Sequence, residues 1–265
     1  MAELVTLETP HEGVALITLT DPEIRNHVSW AGVDALADAL VRAREGGARV
    51  SVLASGVPGH WFEHAWLRDL HNMVTGKPTT SPGGGWFTAL HELNATHVVS
   101  IAAISGDCSG GGAELGWACD LRVAEEQVCF AQPEVMIGLA TGIGGTTRLS
   151  RLIGRSAAAE MVLDGSPVGA QRLYELGAVN RLGAEGTALD EALAWARRLA
   201  SRPAPALATL KQMLVAGDNL PLDQALAREQ ELFQKLAVTR EAADGMKRIQ
   251  DRFDAGESIR DVYDA

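Results

Sequence analysis

Three consecutive glycines at residues 110–112 stand between a predicted strand and a predicted helix. The apolar run at 100–105 predicts a buried strand, and the stretch at 113–118 is typical of a helix. Glycine has no Cβ, so the backbone can approach a ligand closely, and the first N–H groups of a helix favour negative charge. The sequence therefore predicts a binding turn whose donors are backbone amides.

Two glutamates accompany this turn. Glu114 lies in the first turn of the predicted helix, and Glu134 follows in the segment Gln132-Pro133-Glu134. Two carboxylates beside exposed backbone donors suit general acid and base chemistry on a carbonyl that becomes an oxyanion. We therefore expect Glu114 and Glu134 to act at one site together with the glycine turn.

The rest of the chain predicts strands alternating with helices, and then helices alone. Hydrophobic periodicity and turn residues predict strands at 4–8, 14–20, 50–54 and 179–182, and helices from an N-cap at Ser29 to about Arg44 and at 86–93, 157–163, 170–176, 189–200, 206–216, 222–236 and 241–253. Residues 75–85 predict a mobile surface loop. The pattern indicates an α/β core followed by a helical part from about residue 190.

Composition narrows the class of protein. The chain has 265 residues, of which 46% are hydrophobic, and this favours one globular domain with an appended element. We find no apolar run of membrane-spanning length and no signal-peptide pattern, so we expect a cytoplasmic protein. Three cysteines without C-x-x-C spacing argue against a disulfide framework or a zinc cluster. The net charge of −11 disfavours nucleic acid and anionic membranes as partners, although a few arginines can still bind phosphate.

Four ordered motifs carry a resemblance to a known family. They are SGDCSGGGAEL at 105–115, ACD at 118–120, FAQPE at 130–134 and GIGGTTRLSRLIG at 142–154. With these motifs the chain resembles the enoyl-CoA hydratase/isomerase (crotonase) family. The resemblance implies an α/β fold, a crotonase-like spiral of ββα units over residues 1–190. It also implies a helical C-terminal region over 191–265 that builds homotrimers, often paired into hexamers.

The resemblance also implies an activity. Members bind an acyl-CoA thioester with its carbonyl oxygen between two backbone N–H groups, which in this chain are those of Ala65 and Gly111. Members that hydrate a 2-enoyl thioester carry glutamates at the positions of Glu114 and Glu134. One carboxylate activates water for the β carbon and the other handles the proton at the α carbon. The expected protein is thus a lyase of fatty acid metabolism, an enoyl-CoA hydratase that needs no cofactor beyond the coenzyme A of its substrate.

Further residues are expected to contact the substrate. Gly110 borders the thioester as part of the glycine run. Arg25 and Arg68 match positions where members often carry basic residues for the CoA phosphates. Near the C-terminus, in ADGMKRIQDRF, Ile249 and Arg252 replace an aromatic residue and a lysine that contact the adenine end.

The loop of the second backbone donor departs from the family pattern. His64-Ala65-Trp66 stands where members often have Gly-Ala-Asp. Trp66 either shortens the acyl pocket or fills core space. His64 is a further residue of the substrate site, where it either supplies an extra acid or base or has a structural role.

Other functions are compatible with parts of the sequence. A crotonase-like protein can instead hydrolyse a thioester or a carbon–carbon bond, decarboxylate, or shift a double bond. A non-catalytic homologue can hold an acyl-CoA or an acyl carrier protein. Residues 60–64, HWFEH, match the H-x-x-E-H pattern of a zinc metallopeptidase if one helix runs through all five. The GIGGTT segment lacks G-x-G-x-x-G spacing, so we do not expect a dinucleotide site.

Overall fold

Two β-sheets organise the part of the chain before residue 202. The computed structural model describes residues 3–263, so the outermost ends of the two predicted regions lie outside the described residues. The larger sheet has the strand order β1 (Val5–His11), β2 (Val14–Leu19), β3 (Val50–Ser55), β5 (Val99–Ile104), β7 (Leu121–Glu125) and β10 (Arg181–Gly183). The smaller sheet has the order β4 (Gly59–His60), β6 (Gly106–Ser109), β8 (Cys129–Ala131) and β9 (Val168–Gly169).

Helices follow the strands in a repeating pattern. They are α1 (Trp30–Glu45), α2 (Leu67–Val74), α3 (Gly85–Asn94), α4 (Gly110–Ala118), α5 (Thr147–Asp164), α6 (Ala170–Glu175) and α7 (Ala188–Ala200), with 3-10 turns at Pro22–Ile24 and Glu134–Ile137. The units β3-β4-α2, β5-β6-α4 and β7-β8-α5 each contribute one strand to either sheet before a helix. This repetition confirms the predicted spiral of ββα units.

The pairing of the strands explains their composition. Strands β2, β3, β5, β7 and β10 are parallel, whereas β1 pairs antiparallel with β2 through the turn before Val14. Every residue of β5 is buried. A strand covered on both faces is expected to be a continuous apolar run, as this one is.

Helix α1 begins at the predicted cap. The side chain of Ser29 accepts a hydrogen bond from the N–H of Gly32 at 3.0 Å, which satisfies one backbone donor of the first turn. Val33, Leu36 and Leu40 form its buried face. The predicted helix at this position is confirmed.

Two carboxylates fix the segment that joins α2 to α3. The fully buried Asp69 accepts hydrogen bonds from the N–H groups of Trp30 and Thr80, both at 2.8 Å. Asp34 of α1 accepts from the N–H of Gly85 at 2.6 Å. The segment is a loop, as predicted, and these contacts hold it to the start of α1.

The described residues divide after Ser201 into two compact units. The second contains α8 (Ala204–Asn219), α9 (Leu222–Ala237), α10 (Arg240–Asp254) and α11 (Ile259–Tyr263). Helix α7 packs on β3, β5 and β7 and belongs to the first unit, since its buried alanines cover the sheet. Within residues 3–263, no helix has the length and apolar character that crossing a membrane requires.

Candidate active site

The glycine run forms the turn between β6 and α4. Gly110 has φ 45°, in the left-handed region that glycine adopts without strain. A Cβ atom at Gly112 would lie 1.7 Å from the carbonyl oxygen of Phe62, so any larger residue requires the backbone to move. Gly111 lies in the first turn of α4, where N–H groups have no intrahelical acceptor. The turn therefore presents a backbone donor at the start of a buried helix.

The loop before α2 presents a second donor at Ala65. The carbonyl oxygen of His64 accepts from the N–H of Val28 at 2.7 Å, and the N–H of Trp66 donates to the oxygen of Val28 at 2.9 Å. The oxygen of Ala65 lies 2.6 Å from Nδ1 of His64, which carries the proton because a carbonyl oxygen only accepts. On the two peptide planes that flank Ala65, its own N–H is the group without a hydrogen-bond partner among residues 3–263.

Direct contacts join the glycine turn to this loop. Ser109, which precedes the glycines, donates its N–H to the oxygen of Glu63 at 2.6 Å and its hydroxyl to the same oxygen at 3.0 Å. A Cβ at Gly111 would lie 2.9 Å from Cβ of Ala65 and 3.6 Å from its amide nitrogen. The same position is 3.3 Å from the indole of Trp86. Ala65 and Gly111, which the sequence assigns to one site, are thus neighbours, with an aromatic wall beside them.

Glu114 is held by backbone donors. Its side chain projects from α4, and the residue is only 2% exposed. Its Oε1 accepts from the N–H groups of Ile143 at 3.0 Å and of Gly145 at 2.6 Å. Both donors belong to the GIGG motif, so this glycine-rich loop fixes the carboxylate through charge-assisted hydrogen bonds.

Glu134 lies at the start of the 3-10 turn Glu134–Ile137, and its side chain reaches the glycine turn. A Cβ at Gly110 would lie 3.3 Å from Oε1 of Glu134. The side-chain amide of Gln132 donates to that oxygen at 3.0 Å, and Gln132 in turn accepts from the indole N–H of Trp117 at 2.9 Å. A buried polar chain therefore orients this carboxylate.

The two carboxylates lie in unlike surroundings. Burial raises the pKa of Glu134 above its usual range, and the negative charge of Glu114 raises it further. Hydrogen bonds from its own backbone and from Gln132 lower the pKa of Glu134 and oppose the increase. Unlike environments of this kind allow two carboxyl groups to take different roles in one reaction.

Comparison with known proteins decides the family. The family model for enoyl-CoA hydratase/isomerase matches residues 9–255. The chain belongs to the enoyl-CoA hydratase/isomerase family. This confirms the resemblance that the four motifs predict.

The similarity to individual relatives covers most of this chain and most of each relative. A probable enoyl-CoA hydratase of Rhizobium meliloti is 33% identical over 236 residues, 88% of this chain and 90% of the relative. The 2,3-dehydroadipyl-CoA hydratase of Escherichia coli is 32% identical over 247 residues, 93% of this chain and 94% of the relative. The crystal structure of an enoyl-CoA hydratase from Mycobacterium tuberculosis matches with a TM-score of 0.82 at 30% identity, over 94% of this chain and 96% of the other.

The two arginines that the family pattern assigns to the CoA phosphates contact neighbouring side chains. The guanidinium of Arg25 lies 3.2 Å from Oε1 of Glu63, and its side chain is 61% exposed. The guanidinium of Arg68 stands 5.4 Å from the ring centre of Trp66, a cation–π contact. Both side chains flank the loop that carries Ala65, and their binding of CoA stays a prediction.

Ile249 and Arg252 lie in the second unit. The guanidinium of Arg252 donates to the carboxylate of Glu257 and, at 3.0 Å, to the carbonyl of Val262, so it joins α10 to α11. Ile249 lines an open groove together with Phe253. The contacts of Arg252 indicate a structural role. Contact of Ile249 and Arg252 with the adenine end of CoA stays a prediction.

The departures from the family pattern gather beside Ala65. The imidazoles of His27 and His64 stack with their centres 3.9 Å apart. Oε2 of Glu63 lies 3.5 Å from Nε2 of His27 and 3.0 Å from Nδ1 of His60. Burial lowers the pKa of His27 below its usual value and the adjacent His64 lowers it further, whereas Glu63 raises it. We call these four side chains, at positions 27, 60, 63 and 64, the histidine cluster.

The metallopeptidase alternative is wrong. It requires one helix through residues 60–64, but β4 ends at His60 and α2 begins only at Leu67. His60 and His64 therefore do not lie one turn apart on a helix face. His64 instead stacks on His27.

Several residues that the structure brings to the site have no role predicted from the sequence. Gln132 stands two positions before Glu134 in the FAQPE motif, and its side-chain amide donates to the Glu134 carboxylate at 3.0 Å. That spacing is a usable signal for Gln132. No local pattern connects His27 with His64, because only the pairing of Val28 with Ala65 makes them neighbours.

Proposed function

We propose that the protein is an enoyl-CoA hydratase, which adds water across the double bond of a 2-enoyl-CoA thioester. One observation carries this proposal: the carboxylate of Glu134 lies beside the glycine turn that adjoins Ala65, and Glu114, on the helix that follows this turn, is close enough to raise the pKa of Glu134. Family membership supports acyl-CoA thioesters as the substrate class, and relatives named as hydratases support the reaction.

The proposed reaction begins at the thioester oxygen. This oxygen accepts hydrogen bonds from the N–H groups of Ala65 and Gly111. Electron density moves onto it when the β carbon is attacked, and the two amides stabilise the resulting enolate. Removing one such donor lowers the rate by about 10²- to 10³-fold in other enzymes, so the pair supplies a large part of the rate enhancement.

The two glutamates divide the proton transfers. Glu114, fixed by two backbone donors, accepts a proton from water while the water oxygen bonds to the β carbon. Glu134, whose pKa is raised by burial, donates a proton to the α carbon and the enolate returns to a thioester. The substrate gains one water, and the proton on Glu114 returns to Glu134 through solvent before the next turnover.

The remaining contacts in this proposal concern coenzyme A and assembly. Gly110 borders the thioester, while Arg25 and Arg68 bind phosphate groups of the CoA and Ile249 and Arg252 contact its adenine end. We further propose a homotrimer or a pair of trimers, supported by the exposed apolar side chains of the 3-10 turn Glu134–Ile137. Light scattering on the purified protein measures this state, and a monomer at working concentration contradicts it.

A panel of 2-enoyl-CoA thioesters of increasing chain length tests the activity. Incubation in H₂¹⁸O followed by mass spectrometry distinguishes the reaction types. The proposal predicts a product that retains CoA and gains one labelled water. Release of CoA-SH indicates a thioester hydrolase, a shifted double bond without added oxygen indicates an isomerase, and binding without turnover indicates a carrier. A malonyl-type thioester is included in the panel as well, and loss of CO₂ from it indicates a decarboxylase.

A further inference from the structure

The loop that carries Ala65 has a contact that a small residue at position 64 cannot make. Nδ1 of His64 donates to the carbonyl oxygen of Ala65 at 2.6 Å. Members of the family often have glycine at this position, which has no side-chain donor. The hydrogen bond therefore belongs to this chain's own sequence.

The structure assigns His64 as a positioning residue for the amide of Ala65. Its imidazole binds the carbonyl of the peptide plane on the C-terminal side of Ala65, which the Trp66 N–H also ties to Val28. Its backbone carbonyl accepts from the Val28 N–H and so holds the plane that contains the Ala65 N–H. With both planes held, the direction of the Ala65 N–H is set. This inference rests on the proposed hydratase function, in which that N–H binds the thioester oxygen.

The imidazole is itself held in place. It stacks on His27 at 3.9 Å with an angle of 24° between the rings. His27 adjoins Val28, whose N–H and carbonyl both bond to the Ala65 loop. Side-chain stacking and backbone hydrogen bonds therefore join the same two segments, His27-Val28 and His64-Ala65. Displacement of the imidazole removes one of the restraints on Ala65.

The buried side chain of Asn26 fixes the segment that contains His27 and Val28. Asn26 is fully buried, and its side chain donates to the carbonyl of Leu19 at 2.9 Å and accepts from the N–H of Asp21 at 2.6 Å. Its own carbonyl accepts from the N–H of Glu63 at 3.2 Å. The segment on which His64 rests is thus tied to the central sheet, so the loop is positioned against a rigid support.

Two substitutions of similar size separate the hydrogen bond from packing. His64→Asn places an amide donor near the position of Nδ1, whereas His64→Leu has almost the same shape and no donor. We expect the asparagine variant to stay within a few-fold of the parent in kcat. The leucine variant is expected to lose on the order of 10- to 100-fold in kcat with a smaller change in KM, because the donor acts mainly on the enolate-like transition state.

A spectroscopic measurement on a ligand that does not react completes the test. Butyryl-CoA labelled with ¹³C at the thioester carbonyl has a stretching frequency that falls when the oxygen accepts hydrogen bonds. The parent and His64→Asn are expected to show this downshift on binding, and His64→Leu to lose part of it. Equal kcat and equal downshift in the two variants overturn the inference, as does an equal loss in both, which indicates packing alone.

Failure of the proposed function gives a different result. If the parent protein hydrates no thioester in the panel, the hydratase assignment fails, while the difference in carbonyl frequency between the asparagine and leucine variants still reports on positioning. If the parent hydrates its substrate and the two variants do not differ, the positioning role of His64 fails and the hydratase assignment stands.

Discussion

The two segments that meet at the site are held by different means. The turn at residues 110–112 is fixed by close backbone contact, since a Cβ at Gly112 would overlap the carbonyl of Phe62. The loop at residues 62–66 is held by backbone hydrogen bonds to Val28 and Asn26 together with side-chain contacts, chiefly those of the imidazole of His64 and its stacking partner His27. The first solution leaves almost no room for substitution, whereas the second can be built from different residues. This difference explains why the glycine turn matches the family pattern and the loop departs from it.

The largest loss of activity is expected on substitution of the two carboxylates, Glu114 and Glu134. Glu114→Gln or Glu134→Gln should lower hydration by about 10³-fold or more, because the variant can no longer accept or donate the proton. Circular dichroism and acyl-CoA binding should stay unchanged. Glu126→Gln, at an exposed position, is the matched control and should retain full activity. A Glu114 or Glu134 variant with near-normal kcat is incompatible with the proposed roles.

Substitution in the glycine turn at residues 110–112 should lower stability more than substitution in the loop at residues 62–66. Gly112→Ala places a methyl group 1.7 Å from a carbonyl oxygen that cannot move away easily, and we expect the free energy of unfolding to fall by about 3 kcal/mol. Gly84→Ala is the control, because a Cβ there meets no atom within 4 Å. Chemical denaturation of both variants checks the difference. Equal stability of the two would mean that the turn is not limited by backbone contact.

The loop at residues 62–66 should instead control selectivity for the length of the acyl chain. Trp66 adjoins Ala65, so Trp66→Ala should raise kcat/KM for longer acyl chains relative to short ones by about tenfold. Trp195→Ala is the matched control, since Trp195 also lies half-buried beneath an arginine, Arg181 at 3.7 Å. Its chain-length preference should equal that of the parent. A Trp66→Ala variant with the parent's preference indicates that the indole only fills space.

The smallest expected effect concerns the pH dependence of stability. Burial keeps the pKa of His27 below that of the unfolded chain, so on acidification the unfolded state takes up this proton first. The free energy of unfolding is therefore lost as pH falls from about 6.5 to the lower folded value. In His27→Phe, which keeps an aromatic ring for stacking, this loss should shrink between about pH 7.5 and pH 5.5. His97→Phe, at an exposed position, should behave as the parent, and an unchanged His27→Phe profile contradicts the argument.

The sequence predicts those parts of the fold that follow from local pattern. The buried strand β5, the capped helix α1 and the glycine turn before α4 each have a local signal: a continuous apolar run, a serine cap and three glycines. The family motifs then supply the spiral, which periodicity alone does not give. Local pattern also predicts helix α7, but its place on the sheet depends on which face its alanines bury, and that is a tertiary property.

The candidate site divides in the same way. Glu114 and Glu134 are recognisable because each stands within a motif, and the structure places Glu134 beside the glycine turn and Glu114 on the helix that follows it. The histidine cluster has no such signal, because His27 and His64 become neighbours only when Val28 pairs with Ala65. The H-x-x-E-H pattern within it even predicts a helix that does not form. Short patterns predict well where the backbone is constrained and poorly where distant side chains create the geometry.

A crystal structure of the Glu134→Gln variant with bound butyryl-CoA would show whether the amides of Ala65 and Gly111 bind the same oxygen. We expect the thioester oxygen about 2.7–3.1 Å from the amide nitrogens of both Ala65 and Gly111. We also expect the carboxylate of Glu114 on the side of the β carbon, and the amide of residue 134 near the α carbon. A thioester oxygen bound elsewhere, or the two amides directed at different points, would contradict it.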